Sequence, residues 1–149
     1  MIARKFAALA LLVAIVVPVS ARPKGSDSVV KATATASKPD ADGKETVTII
    51  LTIDPKYHLY ANPVGNEDFT SNQVVVSFKN GVSSKITYPA GEVQKDTIVG
   101  DYKVYHNKAT ITAVVKRAKA TDPIEVAIKL QACSSKACLM TATIKVNVK

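Results

Sequence analysis

Short runs in which apolar and polar residues alternate, each closed by turn residues, recur along this chain after residue 21, and nowhere in that span do apolar residues keep a helical spacing. A period of two puts alternate side chains on opposite faces of an extended strand, so such runs bury one face and wet the other. The runs are "VVKATATA", "TVTIILTID", "VVVSFK", "GVSSKITY", "DYKVY", "ATITAVVKR", "IEVAIKLQA" and "TATIKVNV". Between the first two lies "SKPDADGKE", a turn by composition, in which Pro39, Asp40 and Gly43 supply turn geometry. Asn80-Gly81 separates two of the runs, and this dipeptide accepts the positive φ angles of a tight type I′ hairpin, which is predicted here.

About eight short strands at this spacing predict an all-β, immunoglobulin-like antiparallel sandwich, with one domain and no internal repeat. Ile124, Val126, Ile128 and Leu130 share one face of their strand, as do Ile144, Val146 and Val148 of the last. Joined by "QACSSKACLM", these two strands are expected to pair antiparallel with both cysteines near the tip.

The amino end obeys different rules. Met1-Ile2-Ala3-Arg4-Lys5 is a basic head, "FAALALLVAIVV" an apolar core too short to span a bilayer, and Pro18-Val19-Ser20-Ala21 a small-residue cleavage site. Residues 1–21 are therefore read as a secretory signal peptide and residues 22–149 as the mature domain, periplasmic or secreted, with no later membrane span. Removing the leader leaves 128 residues, enough to bury a core without the help of disulfides.

The 20 basic and 12 acidic residues lose Arg4 and Lys5 with the leader, leaving a net charge of +6. The lysines are scattered, with "KRAK" from Lys116 to Lys119 the one cluster, and there is no tryptophan for bases to stack on. Nucleic-acid binding is not expected. No serine lies in a nucleophile motif, which sets hydrolases aside.

Cys133 and Cys138, the two cysteines, make a disulfide the default expectation in an exported protein. Closing so short a loop stabilises a fold by only about 2 kcal/mol, against nearly 5 for a loop of about 100 residues. The residues alone leave three roles open: a staple on a hairpin, a redox pair with Lys136 between the sulfurs, or a soft copper(I) site adding Met140 and one of His58 and His106. His106 in "VYHNKA" is expected in a hairpin loop, His58 on a strand surface, and Met140 as core filler on a strand.

Four stretches in order, "KYHLYANP", "NEDF", "GDYKVYHNKATITA" and "LQACSSKACLM", resemble the amino-terminal domain of the DsbD-type thiol:disulfide interchange proteins. The resemblance implies an immunoglobulin-like domain passing electrons from a membrane-embedded or soluble reductant to thioredoxin-like extracytoplasmic proteins, with no metal or organic cofactor. It implies that Cys138 forms mixed disulfides and Cys133 resolves them. Glu67, Asp68 and Phe69 match a cap loop whose ring covers the cysteines, and Tyr57 and Tyr60 match aromatic residues lining the same site. The expected activity is a protein-to-protein redox relay. The rivals are a secreted binding module with a structural disulfide and the copper(I)-binding variant.

Overall fold

A computed structural model describes residues 24–119 and 121–148, so the expected leader lies outside the described residues. It contains eleven strands: β1 (Val30–Ala36), β2 (Lys44–Ile53), β3 (His58–Tyr60), β4 (Val75–Lys79), β5 (Gly81–Thr87), β6 (Glu92–Gln94), β7 (Tyr102–His106), β8 (Lys108–Arg117), β9 (Ile124–Leu130), β10 (Ala132–Cys133) and β11 (Ala142–Val148). Two 3₁₀ turns, Ser26–Ser28 and Glu67–Asn72, complete it. The count exceeds the predicted eight because β3, β6 and β10 span only two or three residues, too few to display an alternation. No helix among the described residues is long and apolar enough to cross a membrane.

The strands form antiparallel sheets ordered β1-β2-β8-β5, β11-β9-β4 and β10-β3-β7-β6. In the first, Val47 faces Ala113, Ile49 faces Ile111 and Leu51 faces Ala109, all of them buried. Across the core, Ile124, Val126, Ile128 and Leu130 of β9 are fully buried, flanked by Val76 of β4 and by Ile144, Val146 and Val148 of β11. These inward faces belong to one hydrophobic cluster, the arrangement of a sandwich. The predicted antiparallel pair of the last two long strands is present, with Ala142 opposite Leu130 and Val148 opposite Ile124.

Asn80-Gly81 does not make the predicted hairpin. β4 pairs with β9 and β5 pairs with β8, so the dipeptide is a corner at which the chain passes from one sheet to another. Asn80 takes the expected left-handed backbone, φ 61°, and its carbonyl accepts the Ala118 N–H at 3.0 Å. Asn107, φ 55°, makes a second such corner between β7 and β8, its carbonyl accepting the Ile53 N–H at 2.8 Å. An asparagine tolerates this region because its short polar side chain can hydrogen-bond locally and offset the steric cost. At the end of β2 away from that corner, buried Glu45 is held by Arg117 through a forked pair of bonds, 2.6 and 3.0 Å, which raises the guanidinium pKa.

Ile111 sits at the centre of β8 with no exposed surface. Truncation there leaves a cavity between two sheets, so Ile111→Ala is expected to lower unfolding stability by about 2–5 kcal/mol, read as a fall in urea midpoint at unchanged slope.

Candidate redox site

The small sheet β10-β3-β7-β6 sorts its residues by parity. Ala132, Leu59 and Tyr105 lie directly across from one another and are buried in the main core. The neighbouring row, Cys133, His58 and His106, therefore belongs to the opposite face, which Tyr60 joins two residues along β3 and Tyr102 four residues along β7. A strand of three residues suffices for this: Leu59 anchors β3 inward while His58 and Tyr60 are presented outward.

Cys133 and Cys138 are joined, with an S–S distance of 2.03 Å and a Cα separation of 3.9 Å. They close a tight hairpin. The Ser134 N–H donates to the Ala137 carbonyl at 2.9 Å, and the Leu139 N–H to the Ala132 carbonyl at 2.8 Å. The Ser134 hydroxyl accepts the N–H groups of Lys136 and Ala137, both at 3.2 Å, so the turn satisfies its own polar backbone. The two sulfur residues differ sharply in access: Cys133 is 2% exposed, whereas Cys138 is exposed.

Burial of Cys133 is the work of rings. It clusters with Tyr60 and Val64, and Phe69 and Tyr102 pack on that cluster. Phe69 stacks on Tyr60 at 5.0 Å between centroids and 15° between planes, and meets Tyr102 at 4.9 Å. The Tyr60 hydroxyl lies 3.8 Å from Cys133 Sγ, close enough to donate to the sulfur. Burial, and then Tyr102, push the Tyr60 pKa above its ordinary value, so this hydroxyl keeps its proton at neutral pH.

Phe69 is carried by the 3₁₀ turn Glu67–Asn72. Gly65, φ 77°, turns the chain into it, and Asn66 caps it by accepting the Asp68 N–H at 3.1 Å. The Asn66 amide also donates to the Val99 carbonyl at 2.8 Å. At the other end the Asn72 amide donates to Gln131 Oε1, and Gln131 Nε2 donates to the Leu139 carbonyl at 3.0 Å. Glu67 and Asp68 stand exposed at the start of the turn.

Several sequence expectations need relocation. Tyr57 packs on the main core and lines a groove of about 400 Å³ with His58, His106, Gln94, Tyr102, Ser134 and Ser135, outside the ring cluster at Cys133. His106 is the last residue of β7, opposite His58, and not in a hairpin loop, because the turn is made by Asn107 alone. Met140 is 59% exposed and fills no core, since its backbone is paired to Gly25 just before β11 begins. Both sulfurs are bonded to each other, and no group of three or more His, Cys, Asp or Glu is gathered for a metal among the described residues.

Three contributors escaped the sequence reading. Tyr102 lay inside a matching stretch but carries no signal distinguishing it from a packing tyrosine. Gln131 was visible only as part of the cysteine lead. Ser26 lay in a polar lead-in, yet it is fully buried, accepting the Ala132 N–H at 2.9 Å and donating to the Met140 carbonyl at 2.7 Å, on both sides of the hairpin base.

A two-layer β-fold carrying a half-buried disulfide beneath a ring-bearing loop is a combination that known proteins share. A family profile described as "Thiol:disulfide interchange protein DsbD, N-terminal" matches residues 26–149, and the chain belongs to that family. Among solved structures it is similar to the reduced DsbD N-terminal domain of Neisseria meningitidis, with 15% identity and a TM-score of 0.58 over 83% of this chain and 86% of that one. It is similar also to the complex of the DsbD and PilB N-terminal domains from Neisseria meningitidis (18%, TM-score 0.51, 78% and 80%). The N-terminal periplasmic domain of ScsB from Proteus mirabilis gives 15% and 0.53 over 79% of this chain and 45% of that one. At these identities the likeness is one of fold. No curated protein sequence matches the chain significantly.

His58 and His106 face each other with ring centroids 5.7 Å apart. Burial, and then the His106 charge, lower the His58 pKa below 6.5. A base whose folded pKa is depressed contributes stability above its unfolded pKa and loses it as pH falls through the folded value. Unfolding stability is expected to decline as pH drops below about 6.5. His106→Gln should move the His58 titration back upward in imidazole NMR, by less than the full shift because burial remains.

Proposed function

We propose that this domain is an exported thiol:disulfide exchange module that hands reducing equivalents to other extracytoplasmic proteins through Cys138 and Cys133. The observation that carries the reading is the asymmetry of the pair: one sulfur residue exposed on a short hairpin, the other buried under Phe69 and Tyr60. A staple has no need of that difference. An exchange centre does, because the attacking sulfur must be met from outside and the resolving sulfur must be kept from stray thiols.

In the reduced domain the Cys138 thiolate attacks one sulfur of a partner's disulfide, which breaks and releases the partner's second thiolate. The Cys133 thiolate then attacks Cys138 Sγ, and the mixed disulfide breaks. The partner leaves as a dithiol after protonation, two electrons richer, and the domain returns to the disulfide form. Tyr60, protonated and 3.8 Å from Cys133 Sγ, is placed to stabilise charge on that sulfur. Phe69, with Glu67 and Asp68 on the same turn, is the cap a partner displaces, and Tyr57 borders the docking surface from the adjoining groove.

Partners are read as thioredoxin-like proteins, with a membrane-embedded or soluble dithiol protein restoring the reduced form. The complex of the Neisseria domain with the PilB N-terminal domain supports a protein as the substrate, and the periplasmic setting of the ScsB domain supports an extracytoplasmic location. The amino-terminal leader at residues 1–21 agrees with that location.

A Cys133→Ser variant incubated with an extract of exported proteins is expected to accumulate dithiothreitol-sensitive adducts through Cys138. In glutathione buffers the native pair should equilibrate above about −300 mV. Absence of adducts together with a potential below that figure would mark the bond as a structural staple in a binding module.

A further inference from the structure

The cap turn and the disulfide hairpin are separate in sequence, yet one side chain is bonded to both. Gln131 immediately precedes β10 and is partly buried. Its oxygen accepts the amide of Asn72, the last residue of the cap turn, while its nitrogen donates to the carbonyl of Leu139, the residue after Cys138. A primary amide is the group that does both at once, acceptor on one atom and donor on the other. The remaining attachments of the turn lead elsewhere: Asn66 binds Val99 in the β6–β7 loop, and Phe69 packs on Tyr60 and Tyr102. The Gln131 amide is thus a polar bridge running from the cap directly to the segment that bears the exposed sulfur residue.

We propose that Gln131 is a positioning residue, a latch that ties closure of the Phe69 cap to the geometry of the Cys138 hairpin. Its side chain touches neither sulfur in the hydrogen-bond network and acts through its two partners. While Leu139 stays in place, the amide is oriented to hold Asn72 and the turn remains shut. A partner that shifts residues 138–139 as it docks turns the amide away from Asn72 and releases the far end of the cap. Access to the disulfide is in this way conditional on contact with the hairpin itself. The inference gives the exchange reading its gating, but the latch is testable without any partner.

The test is the rate at which tris(2-carboxyethyl)phosphine reduces the oxidised protein. The phosphine attacks Cys138 Sγ and displaces the Cys133 thiolate; water then carries phosphorus to the oxide, freeing both thiols. Loss of either latch bond should raise this second-order rate by about three- to tenfold, the range one net hydrogen bond spans. Gln131→Ala and Asn72→Ala are expected to show similar increases, and the double variant little more than either alone. Gln131→Glu retains the acceptor for Asn72 but, when ionised, has no donor for the Leu139 carbonyl. Its rate relative to the parent should be raised at pH 7 and return toward one below about pH 4.3, where the acid donates again. A purely structural role would not follow that titration.

Rates for both alanine variants within twofold of the parent would overturn the latch, as would acceleration by Gln131→Ala alone. If Gln131→Ala fails to fold, Asn72→Ala decides by itself, because it removes the bond from the cap side. Absence of adducts and a potential below about −300 mV, with an intact phosphine result, would sink the exchange reading and leave the latch standing, and the reverse outcome would do the opposite.

Discussion

Everything at the candidate redox site rests on the register of three short strands. Leu59, Ala132 and Tyr105 stand opposite one another and are drawn into the apolar core, which fixes the phase of β3, β10 and β7. A slip of one residue would turn every side chain to the other face. Cys133 would then enter the core, and Tyr60 and Tyr102 would no longer meet Phe69. The hydrophobic effect acting on one face is thus what aligns the residues of the other, with Ala132 tying the two by accepting the Leu139 N–H beside Cys138.

Closure over Cys133 is a matter of modest forces. Ring contacts of the kind Phe69 makes with Tyr60 and Tyr102 contribute about 0.5–1.5 kcal/mol each beyond burial, and neutral side-chain hydrogen bonds a similar net amount. Two ring contacts and the amide bonds at Asn66 and Asn72 together hold the turn by only a few kcal/mol, a quantity that a docking protein surface can offset. By contrast the sheets beneath, with Ile49, Leu51, Ile111 and Ile128 fully buried, are held by the burial of whole side chains.

The long strands were legible because each buries one face over many residues: β2, β8, β9 and β11 all lie where alternation of β-branched residues placed them. The cysteine pair at the tip of the last antiparallel pair was legible for the same reason. What failed was the inference from local geometry to pairing partner. Asn80 has the backbone a hairpin would need, but which sheet the following strand joins is decided by distant residues of β8 and β9. Ser26, Gln131 and Tyr102 were illegible as site residues because their roles are hydrogen bonds and ring contacts across the fold, which leave no period in the chain. The family resemblance singled out Phe69, which packs on Tyr60 beside Cys133; composition alone would have left it as an unremarked apolar residue.

Ser26 has one more implication. It binds both Ala132 and Met140, and the Lys24 carbonyl accepts the Met140 N–H at 3.4 Å, so residues 24–26 are seated against the segment that leaves Cys138. Whatever is joined ahead of Lys24, an affinity tag or a lipid tether, begins its path two residues from Cys138 along this pairing. Attachments at the opposite terminus, beyond Val148 and across from Ile124, start a full strand's length away. For anyone immobilising or fusing this domain, the carboxyl end is the handle that leaves the doorway clear.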